Sequence, residues 1–144
     1  MYPNKWSVHD LGASYPVANG HNNGADEAMP VEECGNMLIM ALSYAQRTGD
    51  HGVLSSTYSL LTQWAGYLVS DSLIPANQIS TDDFEGALAN QTNLAIKGIV
   101  GISAMGRIAT ILGKASDASN YSRIASSYVT KMLGYATASA GDHL

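Results

Sequence analysis

Charge is what this sequence has least of. Only 13% of its 144 residues are Asp, Glu, Lys or Arg, about half the roughly 25% usual in a globular domain. The seven cations occur singly, from Lys5 to Lys131, and the formal net charge is −5. Nucleic acid and anionic membrane surfaces call for Lys and Arg clustered on one face, so neither is an expected partner. Cysteine occurs once, at Cys34, which excludes an internal disulfide. Its apolar helical surroundings point to a buried thiol rather than a nucleophile. No uninterrupted run of about 18 apolar residues is present, so no membrane-inserted helix is expected. The opening Met1-Tyr2-Pro3-Asn4-Lys5-Trp6 lacks the basic and apolar regions of a signal peptide.

What remains is rich in Ala, Leu, Ile, Met, Tyr and Gly, a composition suited to closely packed helices. The expected fold is all-α and the whole of 1–144 reads as one domain. Residues 1–28 hold no sustained period and form an irregular arm; 29–138 carry helical hairpins; 139–144 form a frayed tail. A first helix is expected from about Pro30 to Arg47, with Pro30 at its first position, Glu32 and Glu33 near the positive end of its dipole, and Gly49 after it. A second runs from about Val53 to Ser70, with Leu54, Tyr58, Leu61, Ala65 and Leu68 at helical spacing. Ser80-Thr81-Asp82-Asp83 reads as a further helix start, a hydroxyl cap followed three residues later by an acid. A third helix is expected over about Asn90–Leu112, stopped by Gly113. Its Gly98, Gly101, Ala104 and Gly106 imply a close helix contact that offsets a propensity cost of up to about 1 kcal/mol per glycine. The fourth spans about Ser116 to Ala136. Four helices on short loops make two antiparallel hairpins.

The candidate chemistry is carboxylate chemistry. Asp10 stands beside His9, Glu32 beside Glu33, and Asp82 beside Asp83. Paired carboxylates about 5–10 Å apart can hydrolyse glycosides, and an acid–base pair for amide hydrolysis would look the same in sequence. Each residue also has a structural reading, since Glu32, Glu33 and Asp83 sit where first-turn acids belong and Asp82 is an ordinary turn residue. Lys97, in an apolar helix, is expected to be salt-bridged or snorkelling; Trp6 is a packing residue that could line a groove. The four histidines have no zinc-ligand spacing, and no phosphate-binding or dinucleotide fingerprint occurs. No cofactor and no metal are expected. Two sequons, Asn90-Gln91-Thr92 and Asn120-Tyr121-Ser122, make Asn90 and Asn120 candidate glycosylation sites and fit a secretory history.

Three segments carry a family resemblance: His9-Asp10-Leu11-Gly12 with Tyr15-Pro16, Met29 through Met37, and Thr81-Asp82-Asp83-Phe84-Glu85-Gly86 through Ile99. They resemble the helical domain of the fungal glutaminase A family, in the same order and over most of residues 4–133. The resemblance implies a secreted fungal origin and a fold like part of an (α/α) six-hairpin toroid. It also implies glutamine amide hydrolysis in complete enzymes, which carry a long, largely β N-terminal region and more hairpins. Small standalone fungal proteins that resemble this domain also occur, some of them regarded as immunomodulatory proteins acting on animal immune cells, and the size of this chain matches that class.

The expected function is therefore that of a small secreted, extracellular fungal protein of glutaminase-A-like type. It would be noncatalytic and immunomodulatory, self-associating as a homodimer and meeting a cell-surface receptor or carbohydrate. The alternative is a piece of a secreted glutaminase, or a carboxylate-based hydrolase using Asp10, Glu32, Glu33, Asp82 and Asp83.

Overall fold

The computed structural model describes residues 5–21, 29–80 and 86–136. Four helices follow one another: α1 (Pro30–Thr48), α2 (Gly52–Asp71), α3 (Thr92–Ile111) and α4 (Ala115–Ala136). No strand forms among the described residues; Gln78 and Leu88 pair in an isolated antiparallel bridge.

Local chemistry explains the ends. Pro30 opens α1, where its missing N–H would be unpaired in any case. Gly49 closes it in the left-handed conformation (φ 73°), donating its N–H to the Ala45 carbonyl, the simple αL stop. The three residues between α1 and α2 are pinned by Asp50, which takes the Gly52 N–H on its side chain and donates its own N–H to Thr48 Oγ1. Gly113 (φ 69°) turns the chain between α3 and α4. The start of α3 differs from the expected Asn90: Asn90 is left-handed (φ 58°) and Gln91 is extended, so the helix begins at Thr92. The helix start expected at Ser80–Asp83 falls on residues outside those described, except Ser80, which is buried and not helical.

The hairpins α1–α2 and α3–α4 lie side by side with α3 at the centre, packed on all three other helices. A Cβ added at Gly98 would meet Ser72, which caps the end of α2, and Val31 of α1; one added at Gly101 would meet Leu68 and Gly35. Numbers rise together along α1 and α3 and oppose along α2, so α1 and α3 are parallel neighbours and α2 is antiparallel to both. The core has Leu38, Leu54, Leu68, Leu94, Ile102, Met105 and Ile108 fully buried, each contributing about 1.5–3 kcal/mol relative to exposure. Two hydrogen bonds tie α4 to α2. Tyr58 donates its hydroxyl to Asp117 (2.7 Å), and Tyr128 donates to the Val69 carbonyl (2.6 Å). Burial, then the Asp117 carboxylate, push the Tyr58 pKa well above its ordinary value.

One helix bears on the expectation about membrane spans. By length and composition α3 is apolar enough to cross a membrane, although 61% of its most apolar window is buried inside the fold. Lys97, Ser103 and Arg107 interrupt its apolar residues, so no unbroken apolar run marks it in the sequence.

Gly98 leaves the least room. A Cβ there would sit 2.2 Å from Ser72 Cβ, and neither atom is a flexible side-chain end. Gly98→Ala is expected to destabilise the fold by about 1–3 kcal/mol through overpacking. Gly66→Ala, within α2 and facing open space, should instead stabilise by up to about 1 kcal/mol through helix propensity. Urea denaturation of the two variants checks the contrast.

Candidate functional site

The sequence candidates gather around the N-terminal half of α1, where the irregular arm crosses it. Trp6 packs against Tyr67 of α2, ring centroids 5.5 Å apart and tilted by 57°. Ser7 donates its N–H to Cys34 Sγ at 3.2 Å. Burial raises the Cys34 pKa to about 12, against the weaker pull of the Ser7 N–H, so the thiol stays protonated at neutral pH and is a poor nucleophile.

Asp10 organises the arm itself. Its carboxylate accepts the N–H groups of His21 (2.7 Å) and Gly12 (2.9 Å) and meets His21 Nδ1 at 2.6 Å. The loop also closes through the Gly20 N–H to the Leu11 carbonyl. Gly12 is left-handed (φ 84°), and a Cβ there would lie 2.5 Å from Asn19 Oδ1, so glycine is required. The His21 N–H, the largest influence, holds the Asp10 pKa below its ordinary 3.8; burial opposes it, and the His21 ring and the Gly12 N–H add to the lowering.

Glu32 and Glu33 are consecutive on a helix and point about 100° apart, so they serve different neighbours. Glu33 turns to the arm, where Oε1 meets His9 Nδ1 at 2.5 Å. Glu32 turns inward: its side chain is 3% exposed and meets Lys97 Nζ at 2.7 Å. The same ammonium donates to Asn36 Oδ1 at 2.8 Å. The Lys97 stem lies across Gly35, where a Cβ would come within 2.7 Å of Lys97 Cγ. Asp82 and Asp83 lie outside the described residues.

Asp10, Glu32 and Glu33 thus lie toward one end of α1, yet each is engaged by a different partner. Lys97 is salt-bridged, as its setting suggested, and Trp6 does line a groove. Sequence reasoning missed the pairings of Asp10 with His21 and of Glu33 with His9, and the roles of Asn36 and Gly35. The pairing of Asp10 with His21 had a faint signal in Gly12 and Gly20, two turn residues that bring 10 and 21 together. Among the described residues no group of three His, Cys, Asp or Glu side chains is placed to hold a metal ion.

Two hollows flank the packed centre. One, of about 470 Å³, lies between the arm and α2, lined by Lys5, Trp6, Gln63, Tyr67, Ser70 and Asp71. The other, of about 310 Å³, lies between the α2–α3 connection and the end of α4, beside Asn90. Asp10, Glu32 and Glu33 line neither. Asn120 lies on α4, its Oδ1 accepting from Arg123 Nη2 at 2.9 Å.

Parallel neighbours α1 and α3, each with an antiparallel companion, define a helical-hairpin domain of the α/α kind. The family described as the glutaminase A six helical-hairpin domain matches residues 1–144, and the chain belongs to it. It is 58% identical over 130 residues to Glutaminase A of Aspergillus oryzae, an alignment covering 90% of this chain and 19% of that protein. It is 39% identical to a probable glutaminase of Arthroderma benhamiae, over 99% of this chain and 23% of that protein. That second alignment extends over 199 residues, more than this chain contains, so the relative carries extra residues inside the matched region. The chain spans about a fifth of the length of these relatives. No solved structure matches it.

Two outcomes test this description. Lys97→Met leaves Glu32 buried without its cation and should cost about 3 kcal/mol in urea denaturation, while Glu32→Leu with Lys97→Met should cost much less. For Asp10 the folded pKa is depressed, so its contribution is present above about pH 4 and lost as pH falls through the folded value. The Gly12 and His21 amide resonances should therefore titrate with a midpoint below 3.8, and Asp10→Asn should abolish that titration.

Proposed function

We propose that the chain acts as a noncatalytic, secreted interaction module of the glutaminase A type, an immunomodulatory protein that self-associates as a homodimer and engages a cell-surface receptor or carbohydrate. The observation that carries the noncatalytic part is the engagement of the carboxylates. Asp10 is occupied in closing the arm, Glu32 neutralises Lys97, and Glu33 holds His9. A general acid needs a carboxyl held protonated near neutral pH, usually by burial or a like charge. At Asp10 the carboxyl is held below its ordinary value, the opposite of what a general acid needs.

The interaction part is supported by exposed apolar side chains on α1 and α3. Met40 and Tyr44 continue the α1 stripe of Asn36, and Ile96 and Val100 flank Lys97 on α3. Because Lys97 bonds Asn36, the two stripes adjoin, and apolar side chains grouped in this way are the material of interfaces. A second copy of the chain is the proposed occupant.

A second reading is favoured by the relatives: this chain is one domain of a longer secreted glutaminase, and glutamine hydrolysis belongs to the whole protein. Ammonia release from glutamine separates the two. The pure chain is expected to release none; release abolished by Glu33→Gln would overturn the noncatalytic reading. Light scattering at micromolar concentration is expected to give a dimer, weakened at least about tenfold, or 1.4 kcal/mol, by Met40→Asp with Val100→Asp. Endotoxin-free protein should stimulate macrophages, and its failure to do so removes the immune role.

A further inference from the structure

The two sequons occupy very different places in the fold. Asn120 stands within α4, its carbonyl oxygen bonded to Arg123. The next residue, Tyr121, is buried, whereas Asn120 and Ser122 are exposed on the helix surface. Presenting this tripeptide in an extended form to an enzyme requires α4 to unwind and Tyr121 to leave the core. Asn90 stands at an exposed turn with φ 58°, its N–H donated to the Pro75 carbonyl at 2.8 Å, and Gln91 is extended. Thr92 is the first residue of α3. The Gln91 side chain turns inward, Nε2 donating to the carbonyls of Gln78 and Leu88. This anchors the turn and leaves Asn90 facing out.

Beside Asn90 is the hollow of about 310 Å³, whose walls include Ile74, Pro75, Met132 and Tyr135. Ile74 is 62% exposed and Tyr135 66%. Asn90 and Thr92 both line it. Its volume sits at the low end of the range for small-ligand sites, sufficient for a single sugar ring and not for a branched glycan. A β-linked N-acetylhexosamine offers an apolar C–H face and an acetamido methyl, which suit Tyr135 and Ile74, while the rest of the glycan extends into solvent.

We infer that Asn90, and not Asn120, is an N-glycosylation site, and that the hollow bounded by Ile74, Pro75, Met132 and Tyr135 receives the first N-acetylglucosamine. The donor is a lipid-diphosphate-linked oligosaccharide. Asn90 Nδ2 forms a bond to the sugar C1 and gives up a proton to a basic group of the glycosyl-transferring enzyme; the C1–O bond to the lipid diphosphate breaks, and the diphosphate leaves with the electron pair. The glycan then covers two of the more exposed apolar side chains of the molecule. The inference rests on the reading that the protein is secreted.

The test uses the full chain expressed behind a secretory leader in a yeast host, with intact mass and peptide mapping before and after peptide-N-glycosidase treatment. One occupied site at Asn90 is expected. Both Asn90→Gln and Thr92→Ala should lose the glycan entirely, whereas Asn120→Gln should retain it. Enzymatic trimming to a single N-acetylglucosamine should keep amide exchange around residues 73–75 and 132–135 slow, and its removal should speed exchange there. An unmodified Asn90, or a glycan at Asn120 alone or equally, overturns the site assignment; unchanged exchange overturns the seat of the sugar. Secretion is judged separately, by whether the native protein is found in fungal culture filtrate. A protein confined to the mycelium would sink the secretory reading without altering which sequon the yeast host modifies.

Discussion

The close approach of α1 and α3 at Gly35, Gly98 and Gly101 is the constraint on which the rest of this structure depends. At Gly101 a Cβ would stand 3.1 Å from the Gly35 backbone, and at Gly98 it would strike Ser72. Where two backbones come this near, a helix can be enclosed by its neighbours without large side chains to fill the gap. That is how α3, with three glycines in its twenty residues, becomes the centre of the fold instead of its weakest element. Gly35 has a second consequence. The absent side chain leaves a channel along which the Lys97 stem passes, and its ammonium arrives between Glu32 and Asn36. The buried ion pair is thus a product of the same packing that forms the core.

The arm is held by different means. Its contacts are an aromatic pair, a hydrogen bond to sulfur and two imidazole–carboxylate pairs. Two of these, at Trp6 and Cys34, are partly or wholly buried, while both imidazoles are well exposed. Exposed ionic contacts contribute little to stability, so the apolar end at Trp6 anchors the arm and the histidine end sets its path. The chain belongs to the glutaminase A six helical-hairpin family, and in it the arm lies against both helices of the first hairpin, through Cys34 of α1 and Tyr67 of α2.

Much of the fold was legible in the sequence because its determinants are local. Pro30, Gly49 and Gly113 mark ends that the structure places within two residues of expectation, and the leucine spacing of α2 identifies its buried side directly. The small residues of α3 forecast a close contact, though not its partner on α1, since Gly35 carries no period of its own. The candidate site was less legible. Glu32 and Glu33 look alike as first-turn acids; only the position of α3, 65 residues further along the chain, makes one a buried ion-pair partner and leaves the other to the arm. Asp10 next to His9 suggested a pair, yet the imidazole that Asp10 meets is His21. Spacing in the chain does not reveal which side chains cross a turn.

One bond outside the site has wider reach. Val31 donates its N–H to the Gln78 side chain at 2.9 Å, 47 residues away, because α1 has no side-chain cap of its own. Helix termini leave their first amides unpaired, and here the missing acceptor is lent by the connection between the hairpins. Gln78 is itself held by Leu88 and Gln91. Fraying of α1 from its first turn therefore cannot proceed without loosening the link that leads into α3. The first turn of the first hairpin and the entry to the second are thereby joined through one side chain.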